Sequence, residues 1–302
     1  MSGRHQVLIV GAAGQVGWEL QRSFADAGDV IAQDRTTVDL AVPEQLRKAV
    51  REAKPDVILN AAAYTAVDRA ESEPEMAIAV NATAPRILAE EADRANALLV
   101  HYSTDYVFDG SKAGPWLETD AVHPLNAYGA SKLAGERAIA EVGGKFLILR
   151  TSWVYGPRGN NFLCTMLRLG RERESLKIVD DQVGAPTSSI ELARATRRIA
   201  GQILAGACDP KDGWPGIYHM TCAGSVTWCG FAKAIFERGT ALLDGKKPQV
   251  QPIPTSAYPT PAQRPRNSVL SSEKLWARFG VRLQEWESAL DEVMLRLAEI
   301  ET

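Results

Sequence analysis

The sequence is short of the features that mark several classes of protein. Cysteine occurs four times in 302 residues, at Cys164, Cys208, Cys222 and Cys229, and no two of these form a C-x-x-C pair. The four histidines do not cluster near them, so no metal site is expected. So few thiols suit a reducing compartment, where they stay free. No apolar run reaches the length of a membrane span, and the first, Val7 to Ala13, lacks the cleavage pattern of a signal peptide. The chain therefore reads as cytoplasmic and unprocessed, with no membrane partner. Blocks of like charge are missing too. The net charge is −3, and the charged run Arg171-Glu172-Arg173-Glu174 alternates in sign, as a solvated helix face does. A nucleic-acid partner would ask for a basic excess or a basic face. Internal repeats and low-complexity tracts are also lacking.

What is present is ordinary globular material, 45% apolar and 24% charged, enough for one large domain or two moderate ones. The N-terminal half alternates between apolar runs and helical patterns. Strands are predicted at Gln6–Val10, Val30–Gln33, Asp56–Asn60, Ala97–Tyr102 and Phe146–Arg150. Between them the pattern predicts helices over Val16–Ala27 (closed by Gly28), Pro43–Ala53, Pro74–Asn96 (irregular at Pro85) and Ala127–Glu141. Strand, helix, strand, helix is the pattern of a doubly wound parallel sheet of the Rossmann type. Beyond Arg150 the regularity fades. A helix over Asn161–Arg173, a short strand Leu176–Val179, a helix over Ser189–Leu204 and a last helix from about Gln284 are expected. Prolines 248, 252, 254, 259, 261 and 265 impose loops and irregular edges. The expected plan is a dinucleotide-binding domain over residues 1–152, rejoined by about 176–206. A smaller, irregular α/β substrate-binding domain would comprise 153–175 and 207–302.

Gly11-Ala-Ala-Gly14-Gln15-Val16-Gly17 follows the first strand and opens a helix. Glycines there permit a tight turn and let backbone N–H groups approach a pyrophosphate at the positive end of the helix. This placement implies a nicotinamide dinucleotide, NADPH or NADH. Asp34 ends the second strand, where a carboxylate binds ribose hydroxyls, and Arg35 beside it could meet a 2′-phosphate. The choice between the two cofactors stays open. Asp39 and Leu40 are a candidate adenine wall. Ala61, Ala62 and Ala63 serve equally for close helix packing or for letting a cofactor lie on the backbone.

Tyr128 and Lys132 are four apart on a predicted helix and share a face. A lysine cation beside a phenol is expected to lower its pKa, so that Tyr128 can exchange a proton with a carbonyl oxygen. Thr104 lies at the carboxyl end of the fourth strand and could bond the same carbonyl. Trp153 suits either the core or a sugar face. Arg264 and Arg266 suit either a diphosphate or the surface.

Taken together, Gly11 to Gly17, Thr104 and the Tyr128-x-x-x-Lys132 pair resemble the extended short-chain dehydrogenase/reductase family. Within it, the chain is similar to the reductases of dTDP-linked 4-keto-6-deoxysugars. That similarity runs through Asn60 to Asp68, His101 to Phe108, Trp116 to Asp120, Arg150 to Tyr155, Gly159 to Phe162, Asp181 to Thr187 and Ala257 to Ala262. The resemblance implies hydride transfer to C4 of the sugar. Tyr128 would be the proton donor, Lys132 its electrostatic and ribose partner, and Thr104 a carbonyl ligand. Thr104, Asp105 and Trp153 would contact the sugar nucleotide. Gly14, Gln15, Val16, Asp34, Asp39, Leu40, Ala63, Tyr64, Thr65 and Tyr102 would contact the cofactor. Some relatives are magnesium-dependent homodimers with an acidic residue matching Glu19, so Mg2+ at a dimer interface is a further implication. Two alternatives follow from the same resemblance. A sugar-nucleotide dehydratase would carry Glu where Tyr106 stands, and an epimerase would retain its cofactor. A non-catalytic NADP-binding regulatory subunit, similar to that of methionine adenosyltransferase, would bind the cofactor without turnover.

Overall fold

The computed structural model describes residues 4–208, 210–243 and 245–301. Its centre is a six-stranded, wholly parallel sheet. Five strands come from the N-terminal half: β1 (His5–Val10), β2 (Gly28–Gln33), β3 (Val57–Asn60), β4 (Leu98–Thr104) and β5 (Phe146–Thr151). The helices between them are α1 (Gln15–Phe24), α2 (Pro43–Ala53), α3 (Val67–Ala70), α4 (Pro74–Ile78), α5 (Ala84–Arg94) and α6 (Ala127–Val142). The remainder supplies β6 (Val154–Tyr155), α7 (Phe162–Glu172), β7 (Ser175–Val179), β8 (Val183–Gly184), β9 (Thr187–Ser188) and α8 (Ser189–Leu204), then β10 (Gly216–His219), β11 (Val226–Thr227), α9 (Trp228–Arg238), β12 (Gln249–Ile253), β13 (Asn267–Ser268), α10 (Glu273–Phe279) and α11 (Trp286–Glu301).

The strand order is β2-β1-β3-β4-β5-β10. Direction of winding reverses between β1 and β3, and open α/β sheets bind ligands outside the carboxyl ends at such a reversal. Alternation along β1 separates two cores. Val7 and Ile9 face the side covered by α1 and α8, and Leu8 and Val10 face the side covered by α2, α5 and α6. The first core is continuous with the C-terminal lobe, where Phe231, Trp286 and Val293 join it. The expected doubly wound parallel sheet is thus observed.

Several local details depart from expectation. Gly28 does not close α1, which ends at Phe24 with Ala25 as its cap; Gly28 instead begins β2. The irregularity attributed to Pro85 falls one turn earlier, as a π-helical segment over Ala79–Thr83. A proline ring excludes the carbonyl four residues before it, here Asn81, and a widened turn accommodates both. Ser175–Val179, expected within the returning segment, pairs with Gln249–Ile253 outside the main sheet. Pro252 sits in that two-stranded ribbon, where a strand can forgo a ladder donor. The sixth strand of the main sheet is Gly216–His219, which the apolar periodicity does not signal. Among the described residues no helix is long and apolar enough to cross a membrane.

The glycine loop is fixed by contacts that admit no side chain. Gly11 has φ +84°, and a Cβ on Gly17 would lie 2.1 Å from the Gly11 carbonyl oxygen. Gly17→Ala is therefore expected to lower stability by about 1–3 kcal/mol, read from urea denaturation, and to abolish dinucleotide binding. A variant with wild-type midpoint and affinity would contradict this packing.

Candidate active site

Four loops and one helix converge at the carboxyl edge of the sheet. The loop after β1 places Gly11 against Ala62, the second residue beyond β3; a Cβ on Gly11 would lie 2.6 Å from the Ala62 nitrogen. Gly14 precedes α1 with no side-chain cap on the helix, so its first N–H groups face outward from a positive helix end. Gly11 and Ala12 both donate to the Gln33 carbonyl at the end of β2 (2.9 and 2.9 Å), which joins the loop to the turn carrying Asp34 and Arg35. Asp34 accepts from the Thr36 backbone (2.8 Å) and hydroxyl (2.6 Å), and these bonds hold its carboxyl below the usual range. Arg35 is exposed beside it. This is a cradle that fits a dinucleotide: glycine-lined backbone, free helix N–H groups and a carboxylate at the neighbouring strand end.

Other expected cofactor contacts sit around this cradle in different ways. Gln15 accepts from Asn161 (3.0 Å), which brings the 156–161 loop over the start of α1. Val16 and Ala61 pack against the core. Asp39 bonds the Ala41 backbone (2.9 Å), and Leu40 packs on the core beneath α2. Ala63 is half-buried and Thr65 exposed just beyond β3. Tyr64 is held through its hydroxyl by Glu73 (2.6 Å) and through its backbone N–H by Asn81 (2.8 Å). The Tyr102 ring points away from the cleft, with its hydroxyl bonded to Thr196 of α8 (2.5 Å).

Helix α6 carries Tyr128 and Lys132. Its start is set by Asn126, whose side chain accepts from the Gly129 N–H (2.8 Å), and by Glu71, which accepts from the Ala127 N–H (2.8 Å). One turn beyond Lys132, Glu136 forms a buried, two-pronged ion pair with Arg150 of β5 (2.9 and 2.7 Å). Ser103 of β4 donates to the same carboxylate (2.5 Å). Tyr128, Lys132 and Glu136 thus share one helical face, and its far end is tied to two strands.

The Tyr128 phenol lies near the Thr104 hydroxyl, and its ring meets Tyr106 edge-on, centroids 5.5 Å apart. Thr104 itself donates to Asp105 (3.0 Å) and accepts from the Tyr106 N–H (3.2 Å). The expectation that Lys132 lowers the tyrosine pKa is not met. Burial pushes the phenol up to about 12, the nearby Thr104 hydroxyl opposes that, and the Asp105 carboxylate adds to it. The physical reason lies in the lysine, whose ammonium end turns to the Tyr102 carbonyl (2.6 Å) and the His101 ring (3.1 Å) instead. At neutral pH Tyr128 is therefore a protonated phenol, the form a proton donor needs. Burial also pushes Lys132 down to about 8 and Asp105 up to about 6.

Trp153 follows β5 with φ +47°, a conformation unfavourable to a large side chain. Its indole stacks on Trp228, centroids 3.5 Å and planes 9° apart, and Gly184 leaves room for the ring. Arg264 is paired with Asp68 (2.9 Å). Glu19, buried on α1, is bonded to Arg296 (2.8 Å). A carboxylate already neutralised by a guanidinium is a poor magnesium ligand within one chain, and among the described residues no three His, Cys, Asp or Glu side chains gather to hold a metal. A separate cavity of about 470 Å³, lined by His5, Asp56, Lys145 and Trp214 among others, lies at the opposite end of the sheet, away from this chemistry.

The site includes residues that sequence reasoning passed over. His101, Ser103, Glu136 and Arg150 are all buried beneath the cleft. A signal existed for two of them: Glu136 continues the Tyr128/Lys132 face, and Arg150 ends an otherwise apolar strand.

The architecture and cleft define a Rossmann-type α/β protein with a dinucleotide cradle beside a helix-borne tyrosine and lysine. The RmlD substrate binding domain family model matches residues 5–299, and the chain belongs to that family. It is 52% identical to dTDP-4-dehydrorhamnose reductase of Burkholderia thailandensis over 293 residues, covering 94% of this chain and 96% of that protein. It is 46% identical to dTDP-4-dehydrorhamnose reductase of Escherichia coli K12 over 299 residues, covering 96% and 97%. The structure of dTDP-4-dehydrorhamnose reductase from Bacillus anthracis in complex with NADP superposes with a TM-score of 0.89 at 35% identity, covering 97% of this chain and 99% of that one.

Two expectations follow from the geometry. Removing one partner of the buried Glu136–Arg150 pair by Glu136→Gln leaves a buried guanidinium uncompensated and is expected to cost about 3–5 kcal/mol in urea unfolding. The Asp105 carboxyl, with an ordinary value of 3.8, is raised in the fold. Its protonated form is the one the fold favours, so its contribution is complete below about pH 4 and lost as pH rises to about 6. Asp105→Asn is expected to remove that slope from a stability-against-pH curve; an unchanged slope would assign it to another group.

Proposed function

We propose that this chain is a dTDP-4-dehydrorhamnose reductase, reducing the C4 ketone of dTDP-4-dehydro-β-L-rhamnose with NADPH or NADH to give dTDP-L-rhamnose, a precursor of cell-surface polysaccharide. The observation that carries this reading is the Tyr128 phenol, kept protonated by burial near Thr104 at the end of β4, in a chain that also carries the glycine cradle. Bound dinucleotide supplies the hydride.

Gly11, Gly14 and Gly17 let the backbone of the loop and of α1 hold the pyrophosphate. Gln15, Val16, Ala61, Ala62, Ala63, Tyr64 and Thr65 line the cradle, while Asp34, Arg35, Asp39 and Leu40 meet the adenosine end. Tyr102 contributes through its backbone, since its ring is committed to α8. Thr104 and Tyr128 hold the ketone oxygen from two sides, and Tyr128 gives it a proton as C4 becomes tetrahedral. Lys132 holds the nicotinamide ribose and, when charged, stabilises the phenolate left behind. Asp105 and the Trp153–Trp228 pair face the sugar nucleotide. The sheet, α8 and β10 form the dinucleotide lobe, and the remainder from Trp153 onward forms the sugar-nucleotide lobe.

Tyr106 bears on the dehydratase alternative. Proton abstraction beside the ketone calls for a base, and burial holds the Tyr106 phenol well above its ordinary value. A regulatory role without turnover would leave the Thr104–Tyr128 pair unused. The proposal extends to a cytoplasmic enzyme, supported by four free cysteines. It extends also to a homodimer through α11, whose Leu295 is 69% exposed.

The test supplies the keto sugar nucleotide and follows NADPH oxidation. Wild type is expected to turn over. Tyr128→Phe should lose at least about a hundredfold in kcat, the typical share of a positioned acid, with dinucleotide affinity retained. Full activity in that variant would remove the proton-donor assignment, and dinucleotide binding without turnover in the wild type would favour the regulatory role. Arg35→Ala should raise KM for NADPH by about tenfold and leave NADH unaffected, as expected from the loss of one charge-assisted phosphate contact; equal effects on both would place Arg35 away from the 2′-phosphate.

A further inference from the structure

Asn161 joins two parts of the molecule that hold different ligands in the reading above. It is buried and caps α7, where its Oδ1 accepts from the Cys164 N–H at 3.0 Å. Its Nδ2 donates toward three oxygens: the Gly156 carbonyl (3.0 Å), the Arg158 carbonyl (3.1 Å) and Gln15 Oε1 (3.0 Å). Gln15 is the first residue of α1, next to Gly14 of the dinucleotide cradle. On the other side of Asn161 comes Phe162, whose ring lies 4.6 Å from that of Trp228, and Trp228 stacks on Trp153. One residue thus touches the cradle and adjoins the aromatic group assigned to the sugar nucleotide.

Donor counting fixes both carboxamides. Turning Asn161 over would set its NH2 against the Cys164 N–H and its oxygen against two carbonyls, so Nδ2 is the donor to Gln15. Gln15 must then present its oxygen to Asn161, which leaves its own NH2 for the anion-binding end of α1. The orientation of a side chain at the cofactor site is therefore set from the opposite lobe.

The segment that Asn161 closes is open to solvent. Residues 158–160 are exposed, and Gly159 has φ +78°. Two side-chain contacts tie it to α1: the Asn161–Gln15 bond, and the Arg158 guanidinium lying 3.6 Å over the Trp18 ring. An exposed, glycine-bearing segment has conformational entropy to lose. A dinucleotide on Gln15 holds it from one side, and a sugar nucleotide against Trp153 and Trp228 holds it from the other. Whichever ligand arrives first does the ordering, and the second binds the tighter for it.

We propose that Asn161 is a positioning residue that acts through Gln15 and couples the two sites, so that dinucleotide and sugar nucleotide each raise the affinity for the other by the same factor. The coupling rests on the assignment of Trp153 and Trp228 to the sugar nucleotide; the arrangement of the two carboxamides does not.

Isothermal titration calorimetry reads the coupling on the whole chain without turnover. The probe is dTDP, titrated into protein alone and into protein saturated with NADP+. In the wild type NADP+ is expected to tighten dTDP binding at least about fivefold, the lower range for coupled sites. Asn161→Ser keeps an equally good helix cap on a side chain too short to reach Gln15. Gln15→Met keeps the length of the side chain and removes its acceptor. In each variant the ratio of dTDP affinities with and without NADP+ should fall to within about twofold of unity, and the double variant should fall no further, since both changes remove one bond. A purely structural role would lower the urea midpoint and both affinities but leave the ratio at its wild-type value, and that result would overturn the proposal. A wild-type ratio of one would overturn it too, while the reductase reading stands with two independent sites. If dTDP does not bind at all, the assignment of the sugar-nucleotide site fails and the coupling falls with it.

Discussion

The buried pair of Glu136 and Arg150 is the interaction on which the rest of the site depends. Two charges taken out of water cost much, and their mutual attraction repays this only with good geometry and filled hydrogen bonds. Here the guanidinium meets the carboxylate through two parallel bonds, and Ser103 supplies a third donor. What that arrangement fixes is position. Glu136 lies on α6, Ser103 on β4 and Arg150 on β5, so one cluster sets the rotation and height of the helix against the two strands whose ends form the cleft. A turn nearer the cleft stands Lys132 and a turn nearer still Tyr128. Asn126 and Glu71 fix the other end of the helix.

With α6 held, the remaining geometry follows from sheet topology. The reversal between β1 and β3 leaves a crevice at their carboxyl ends, and the glycine loop fills one wall of it while Asn60 to Ala63 fill the other. β4 ends beside that crevice in Thr104, near the Tyr128 phenol. The same strand offers His101 and the Tyr102 carbonyl to Lys132 from below. The two protonation states that matter are set by burial in opposite senses. The buried phenol is raised to about 12 and stays protonated, so it can give its proton away, whereas the buried lysine is lowered only to about 8 and keeps most of its charge at neutral pH.

Much of this was legible in the residues because its signals are local. A G-x-x-G-x-x-G run at a strand end and a tyrosine four before a lysine need only short-range periodicity to interpret, and the structure sets them side by side. β1, β3, β4 and β5 were visible because strands buried on both faces are continuous apolar runs, and the edge strand β2 through its short Val30-Ile31-Ala32 run. β10 was not: Gly216 to His219 is four residues long and joins β5 from far along the chain. Ser175–Val179 was visible as a strand, but its partner, a proline-bearing segment, was not. The direction of the Tyr128 shift was missed because spacing places Lys132 on the same face without saying where its amine turns. His101 was hidden inside an apolar strand, where a lone histidine carries no periodic signal. Trp153 is half-buried, one face of its indole covered by Trp228.

The central claim is that this cleft delivers a hydride to C4 of a dTDP-linked keto sugar while Tyr128 protonates its oxygen. The most direct measurement uses cofactor carrying deuterium on the transferred position of its nicotinamide and locates the label in the sugar nucleotide by nuclear magnetic resonance. The account predicts a single deuterium at C4 of a product whose dTDP group is intact. Label retained by the cofactor while the sugar is epimerised or dehydrated, or no product at all, would contradict it.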